Sequence, residues 1–417
     1  METRNAPLEE LRSIVGEGHV REAVVEDAVE GVEPSLVVEP GSVEETSELM
    51  KLAARENLVV APRGGGTKMH IGDPPTALDL IVSTARMNEI IEHVPGDQVV
   101  RVQAGIGLGE LQDHLSGTEQ MLAIDPPEGE STIGGIVATN SSGPRRFRYG
   151  TIRDLIIGIT VVLQDGTVAK AGSKVVKNVA GYDLSKLFTG SLGTLGIIAT
   201  ANFRLHPIPE AARTVAVEVE SPQAAGEAAQ AIVHSQVEAT AVELHWEEDS
   251  RLLTVLVESI PAGVEAKAEM TSFLLRPYGE VRELSEEEVE HLPADGEVVV
   301  KIAAPPADLA SVLGSVLRAA ERRGLAHPRL TGHAASGVTF AALSGGEEEA
   351  RTLFVEELRE IWVRRGGSVT LQRAPLALKN RVGTWDNGGD YLGLIRRVKE
   401  KFDPRGGLNP GRFVGGI

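Results

Sequence analysis

Asp125 to Gly166 reads DPPEGESTIGGIVATNSSGPRRFRYGTIRDLIIGITVVLQDG, with Ser131, Thr132, Gly134, Gly135, Ala138, Asn140, Ser141, Ser142 and Gly143 crowded into one passage. The run TIGGIVAT is too apolar for a solvated loop. Small residues and hydroxyls at this density suit a long ligand lying against the backbone and contacted by N–H and O–H donors. A second stretch, APRGGGTKMHIG from Ala61 to Gly72, sets three consecutive glycines behind an apolar run. Backbone without Cβ atoms lets N–H groups turn inward together as an anion nest, although GGG alone is equally a tight turn. It is neither a Gly-x-Gly-x-x-Gly opening a helix nor a P-loop followed by Lys-Ser/Thr. A third stretch, KNVAGYDLSKLFTGSLGTLGIIATANFRL from Lys177 to Leu205, carries Gly190, Ser191, Gly193, Thr194 and Gly196 into the apolar strand IIATANF.

The surroundings of these stretches are mixed α and β. PSLVVEP is a short strand, Ser42 with Glu45 three residues on caps a helix, and LVVAPRGGG is again strand into loop. A helix is expected from Leu108 to Leu115, and Asp165-Gly166 marks a hairpin between two apolar runs. Beyond Pro207 the texture changes. TVAVEVE alternates strictly, Ser221-Pro222 opens an alanine-rich helix, and the runs ATAVELHW and RLLTVLVES follow as strands. GEVVVKIAA, a helix after Pro305-Pro306, and GHAASGVTFAAL repeat that order. A duplicated strand-helix-strand-strand unit would bury its apolar faces as one antiparallel sheet covered by helices.

With 417 residues, 42% hydrophobic and 24% charged, the chain is long enough for two or three domains. The net charge of -19 argues against nucleic acid as a partner. From Asn140 to Gly190, however, Arg145, Arg146, Arg148, Arg153, Lys170, Lys174, Lys177 and Lys186 face only Asp154, Asp165 and Asp183, a balance locally suited to an anion. The absence of cysteine excludes disulfides, thiolate nucleophiles and cysteine-ligated iron–sulfur clusters, so any one-electron relay lies on another chain. No transmembrane segment or secretory h-region is read in the sequence, and a cytoplasmic location is expected, with any membrane association made through partner subunits.

The three stretches, in order and at suitable spacing, resemble the FAD-binding domain of the vanillyl-alcohol oxidase and p-cresol methylhydroxylase (PCMH) type, and the tail FDPRGGLNPGRF resembles that family's C-terminal return to the flavin domain. Within the family the likeness is to the smaller FAD-binding subunits of bacterial glycolate oxidases, relatives of D-lactate and D-2-hydroxyglutarate dehydrogenases. The resemblance implies an α+β chain: a two-subdomain PCMH-type FAD-binding domain over 1–207, an α+β cap domain with an antiparallel sheet of duplicated ferredoxin-like units over 208–373, and a returning segment over 374–417. It implies that Arg63, Gly64, Gly65, Gly66, Thr67, Ser131, Thr132, Gly134 and Gly135 hold the FAD pyrophosphate. Asn140, Gly143, Tyr149, Gly150 and Arg153 would lie near the flavin or ribityl chain, Gly193, Thr194, Gly196 and Ile197 near adenine, with Pro126 a further cofactor contact. Thr67 stands where some members attach flavin through histidine, so non-covalent FAD is expected, and His70 is an ordinary polar residue.

Catalytic relatives use a His-x-Gly-Asp-Gly-Asn-x-His stretch and a Glu-His-Gly stretch to bind a metal and substrate. Here the matching place reads HAASGVTF: His333 and Gly337 remain, while Ser336, Val338 and Phe340 replace the acid, the asparagine and the second histidine. No metal site is therefore expected. His333, Arg381 and Asn409 are the remaining catalytic candidates, each with an equally good structural role. The resulting expectation is a CH–OH oxidoreductase: an FAD-binding subunit oxidising glycolate to glyoxylate beside a larger FAD-containing catalytic subunit and an iron–sulfur subunit. A self-contained FAD-dependent hydroxy-acid or alcohol dehydrogenase is the alternative, and a flavin-free scaffold a weaker one.

Overall fold

The computed structural model describes residues 7–172, 183–285, 288, 295–386 and 389–417. Part of the third glycine-rich stretch, 177–182, lies outside them. The chain forms two compact units, Met1–Ser141 with Thr151–Ile208 and Asn387–Ile417, and Ser142–Gly150 with Pro209–Asp386. The sequence placed its cuts at 207/208 and 373/374, without the excursion at 142–150.

In the first unit, β1 (Val20–Glu22), β2 (Leu36–Val38), β3 (Val60–Arg63) and β4 (Leu80–Ser83) form a sheet ordered β1-β2-β4-β3, in which β2 and β3 both run parallel to β4. The crossover from β2 to β3 is the helix Val43–Glu56, opened by Ser42 Oγ accepting from the Glu45 N–H at 3.0 Å. Its Leu49, Met50, Leu52 and Ala53 bury against Val38, Val60 and Val82. The next strands are β5 (Ile90–Val94), β6 (Val99–Gln103), β7 (Gln120–Met121), β8 (Ile156–Val162), β9 (Val168–Gly172), β10 (Ile197–Arg204) and β11 (His206–Pro207). Five of them pair antiparallel in the order β5-β6-β10-β8-β9, and β7 pairs with β11. The β8–β9 hairpin turns at Asp165-Gly166, where Gly166 adopts φ +83°. Two main sheets in one unit are what the resemblance to a two-subdomain PCMH-type FAD-binding domain implies.

The second unit holds one antiparallel sheet of eight strands: β12 (Ala211–Glu218), β13 (Ala241–Trp246), β14 (Arg251–Ser259), β15 (Val281–Leu284), β16 (Val298–Ala303), β17 (Arg329–His333), β18 (Val338–Leu343) and β19 (Ser368–Arg373). The order β15-β12-β14-β13-β17-β18-β16-β19 is a ferredoxin-like β-α-β-β-α-β unit, fourth-first-third-second, followed by its mirror-ordered repeat. The seam is β13 against β17, with Glu243 opposite His333 and His245 opposite Thr331. Each repeat adds a second helix and a fourth strand to the strand-helix-strand-strand pattern: Pro261–Leu275 with β15, and Glu348–Val363 with β19.

Period-two alternation determines what each face carries. Val242, Leu244 and Trp246 of β13 enter the core with Ala225, Ala228 and Ala229 of the helix Pro222–Val233, whereas Ala241, Glu243 and His245 point to the other face. The repeat does the same with Val298, Val300 and Ile302 against Val312, Leu313 and Val316 of the helix Leu309–Arg322. Each large aliphatic side chain so buried contributes roughly 1.5–3 kcal/mol. The opposite face keeps the polar residues.

Candidate functional site

The glycine loop after β3 and the turn that starts the helix Ile133–Thr139 approach each other closely in the first unit. A Cβ on Gly64 would sit 2.0 Å from Thr132 Oγ1, and one on Gly65 would sit 2.5 Å from the Glu130 carbonyl oxygen. Glycine is required here so that the two loops can touch, with Gly65 N–H donating to Thr132 Oγ1 at 3.3 Å and Thr67 Oγ1 lying 3.3 Å from Ser131 Oγ. Thr132 Oγ1 also caps the helix by accepting from Gly135 N–H. Gly66 sits at φ +78°, and a Cβ there would meet Arg63 Cδ at an ordinary contact distance of 3.7 Å, so the backbone conformation is what favours glycine. A Cβ on Gly134 would lie 2.7 Å from Ala104 Cβ, so this glycine also lets the helix pack on the segment after β6.

Between these loops lies a cleft lined by Arg63 to Thr67, Ser131, Thr132, Gly134, Gly135, Gly193, Gly196, Ile197 and Asn409 among the expected residues. The sequence reading missed Lys68, Met69, Ile136, Thr139, Leu192 and Arg412, which also line it. Lys68 Nζ donates to Ser141 Oγ at 2.6 Å and pairs with Glu128 at 3.1 Å, which holds a cation at the rim. Arg63 enters through its backbone, since its guanidinium pairs with the buried Asp27 at 2.7 Å. Arg21 beside it, with the Val24 N–H and Arg63, holds the Asp27 carboxyl well below the usual range. Pro126, Asn140, Thr194 and Arg153 are not among the cleft-lining residues; Thr194 Oγ1 donates to Ser191 O, and exposed Arg153 donates to Lys186 O. Gly143, Tyr149 and Gly150 cluster with the second unit.

The C-terminal segment forms part of the cleft. Arg412 donates to the carbonyls of Met69, Ile71 and Asp73 at 2.6, 2.5 and 2.9 Å, and burial brings it down to about 10. Lys399 Nζ donates to Thr194 O, Leu408 O and Asp403 Oδ2 at 2.8, 2.7 and 2.6 Å, while burial pulls its ammonium below the usual lysine value. Asn409 Nδ2 donates to Leu192 O at 2.7 Å, and its Oδ1 is buried without a hydrogen-bond partner. A cleft with hydroxyl donors, a rim cation and an unmet acceptor fits the mixed phosphate, hydroxyl and amine chemistry of FAD.

In the second unit Arg145, Arg146 and Arg148 of the basic stretch make contacts within that unit, while Lys174 and Lys177 lie outside the described residues. Arg145 pairs with Glu258 at 2.7 Å, Arg146 donates to Ser142 Oγ at 2.6 Å, and Arg148 donates to the carbonyl of Glu238. His333 ends β17 and its Nδ1 lies 2.9 and 3.0 Å from the two oxygens of Glu243, a residue the sequence reading missed. Burial raises the Glu243 carboxyl well above its ordinary value, with Arg146 offsetting this in part. Phe340, in the position of the second histidine, packs edge-on to His333 at 6.0 Å. Arg381 is engaged elsewhere, pairing with Glu349 on the surface. Among the described residues no three His, Asp or Glu side chains form a metal-binding group. No helix among them is long and apolar enough to cross a membrane.

Residues 34–172 match the FAD binding domain family, and 289–413 match the C-terminal domain of FAD linked oxidases. The glycolate oxidase subunit GlcD of Bacillus subtilis is 27% identical, over 91% of this chain and 89% of its own length. A D-lactate dehydrogenase of Archaeoglobus fulgidus is 28% identical over 93% of both. Substrate-bound p-cresol methylhydroxylase superposes with a TM-score of 0.76 at 16% identity, covering 99% of this chain and 97% of that one. An alkyldihydroxyacetonephosphate synthase superposes at 0.73 and 20% identity, over 97% and 84%. Those two likenesses concern the fold alone. With both domains of the FAD linked oxidases matched in chain order on the PCMH-type fold, the chain is an FAD-dependent oxidoreductase.

Proposed function

We propose that this chain holds FAD non-covalently in the cleft of its first unit and oxidises a small 2-hydroxy acid, glycolate, as the FAD-binding subunit of a multi-subunit oxidase. The observation that carries the reading is the cleft itself, where Gly64 and Gly65 bring two loops together around N–H and O–H donors and the C-terminal segment adds Asn409. The names of the two relatives similar over nearly the whole chain support the substrate class. The chemistry FAD supplies is acceptance of a hydride from the carbinol carbon of the hydroxy acid. Gly66, Thr67, Ser131 and Thr132 bind the phosphates through backbone and hydroxyl donors, and Lys68 contributes charge at the rim. Thr67 offers no nucleophilic ring nitrogen for covalent attachment.

Electrons leave through partners, a larger FAD-containing subunit and an iron–sulfur subunit, since this chain has no cysteine to ligate a cluster. Phe340 beside His333 favours this reading over a self-contained metal-assisted dehydrogenase, because a phenyl ring ligates nothing. The test is anaerobic absorbance of the purified chain and of the assembly purified from its host, each with glycolate and with D-lactate. The expected result is an assembly bleached by glycolate and an isolated chain that keeps its oxidised flavin bands. Bleaching of the isolated chain by either acid identifies a dehydrogenase that is complete by itself.

A further inference from the structure

Asn409 is 5% exposed and sits at φ +46°, in the left-handed region that a side chain other than glycine rarely occupies. Its main chain is held on both sides: Asn409 N–H donates to Val60 O at 2.8 Å, and Val60 N–H donates to Gly407 O at 2.8 Å. The amide is held as well. Leu192 O accepts from Nδ2 at 2.7 Å, and a carbonyl accepts only from the NH₂ end, so the orientation of the amide is fixed by its partner. The other end, Oδ1, is then a buried acceptor with no donor in the protein, on a residue that lines the cleft. Buried acceptors are normally satisfied, and a rigid backbone cannot turn this one to water.

We propose that Asn409 Oδ1 accepts a hydrogen bond from an O–H or N–H of the bound dinucleotide. It is a cofactor-positioning residue and not the catalytic group considered from the sequence. The inference rests on the reading that FAD occupies this cleft. The FAD groups able to donate are the ribityl and ribose hydroxyls, the adenine amine and the flavin N3–H; the phosphates, which carry only acceptors at neutral pH, are excluded. Because Lys399 fixes Leu408 O and Thr194 O together, the same contact links cofactor occupancy to docking of the C-terminal segment.

Asn409→Leu keeps the branching at Cγ and removes the Oδ1 acceptor together with the Nδ2 donor to Leu192 O. FAD dissociation constants of the full-length apoprotein, read by quenching of FAD fluorescence, are expected to rise about 10- to 100-fold, as for an unmet buried donor on the ligand. The melting temperature of the apoprotein is expected to change far less than that of the FAD-loaded protein. A dissociation constant within twofold of wild type overturns the proposal. So does an equal fall in both melting temperatures, which marks a purely structural residue. Gly64→Val separates the two levels: if it retains FAD, the cleft assignment fails, and if it loses FAD while Asn409→Leu retains it, only the acceptor role fails.

Discussion

Lys399→Met tests whether the C-terminal segment is fastened by a buried charge. In the wild type the ammonium, 9% exposed, meets one carboxylate and two carbonyls, and Asp403, 2% exposed, also accepts from the N–H groups of Gly407 and Leu408 at 2.9 and 2.8 Å. Methionine fills the space and leaves Asp403 as a buried anion without its counter-charge, together with two carbonyls that have lost their donor. Breaking a buried pair from one side costs about 3–5 kcal/mol. Against a total stability of roughly 5–15 kcal/mol this is a large share. At about 2–4 °C per kcal/mol for a unit of this size, the melting temperature falls by roughly 6–20 °C. Urea denaturation of Lys399→Met, Asp403→Asn and the double variant closes the cycle. The double variant is expected to be more stable than the sum of the singles predicts by about 1–3 kcal/mol, because the stranded charge is gone. A cost below about 1 kcal/mol for Lys399→Met, or strict additivity, refutes the reasoning.

Gly64→Ala places a methyl 2.0 Å from Thr132 Oγ1 and forces the two loops apart, so FAD binds at least about 10-fold more weakly, whereas Gly96→Ala, with nothing within 4 Å, leaves affinity unchanged. Titration of FAD into the apoproteins measures both. Asp27 has a folded-state pKa below its unfolded value, so its contribution to stability is complete above pH about 4 and is lost as pH falls through the acid range. Asp27→Asn is expected to cost about 2 kcal/mol at neutral pH and to flatten the acid limb of the stability curve. An unchanged acid limb in urea melts would remove Asp27 from that role.

The glycine-rich stretches were legible because small residues and hydroxyls inside an apolar run have few other uses. Their internal division of labour was not. Gly64 and Gly134 look alike in sequence, but one serves the contact between loops and the other the packing of a helix on Ala104, and only the third dimension separates them. The ferredoxin-like repeats showed their first halves through strict alternation and proline-started helices. The fourth strands were harder, since Val281–Leu284 is a short edge strand with little burial. Glu243 was hidden by the same alternation that revealed its strand: a polar residue at an outward position reads as solvated until the seam with β17, ninety residues away, puts His333 beside it. Asn409 and Lys399 have no local signature either, because their partners, Leu192 and Thr194, lie more than two hundred residues earlier.

The most direct measurement is acid precipitation of the purified yellow protein, with absorbance and mass spectrometry of supernatant and pellet. Non-covalent binding in the cleft predicts intact FAD in the supernatant, one per chain, a colourless pellet, and little or no FAD from Gly64→Ala purified alongside. A yellow pellet, a wild-type protein that takes up no FAD, or a Gly64→Ala protein as fully loaded as wild type would contradict the account.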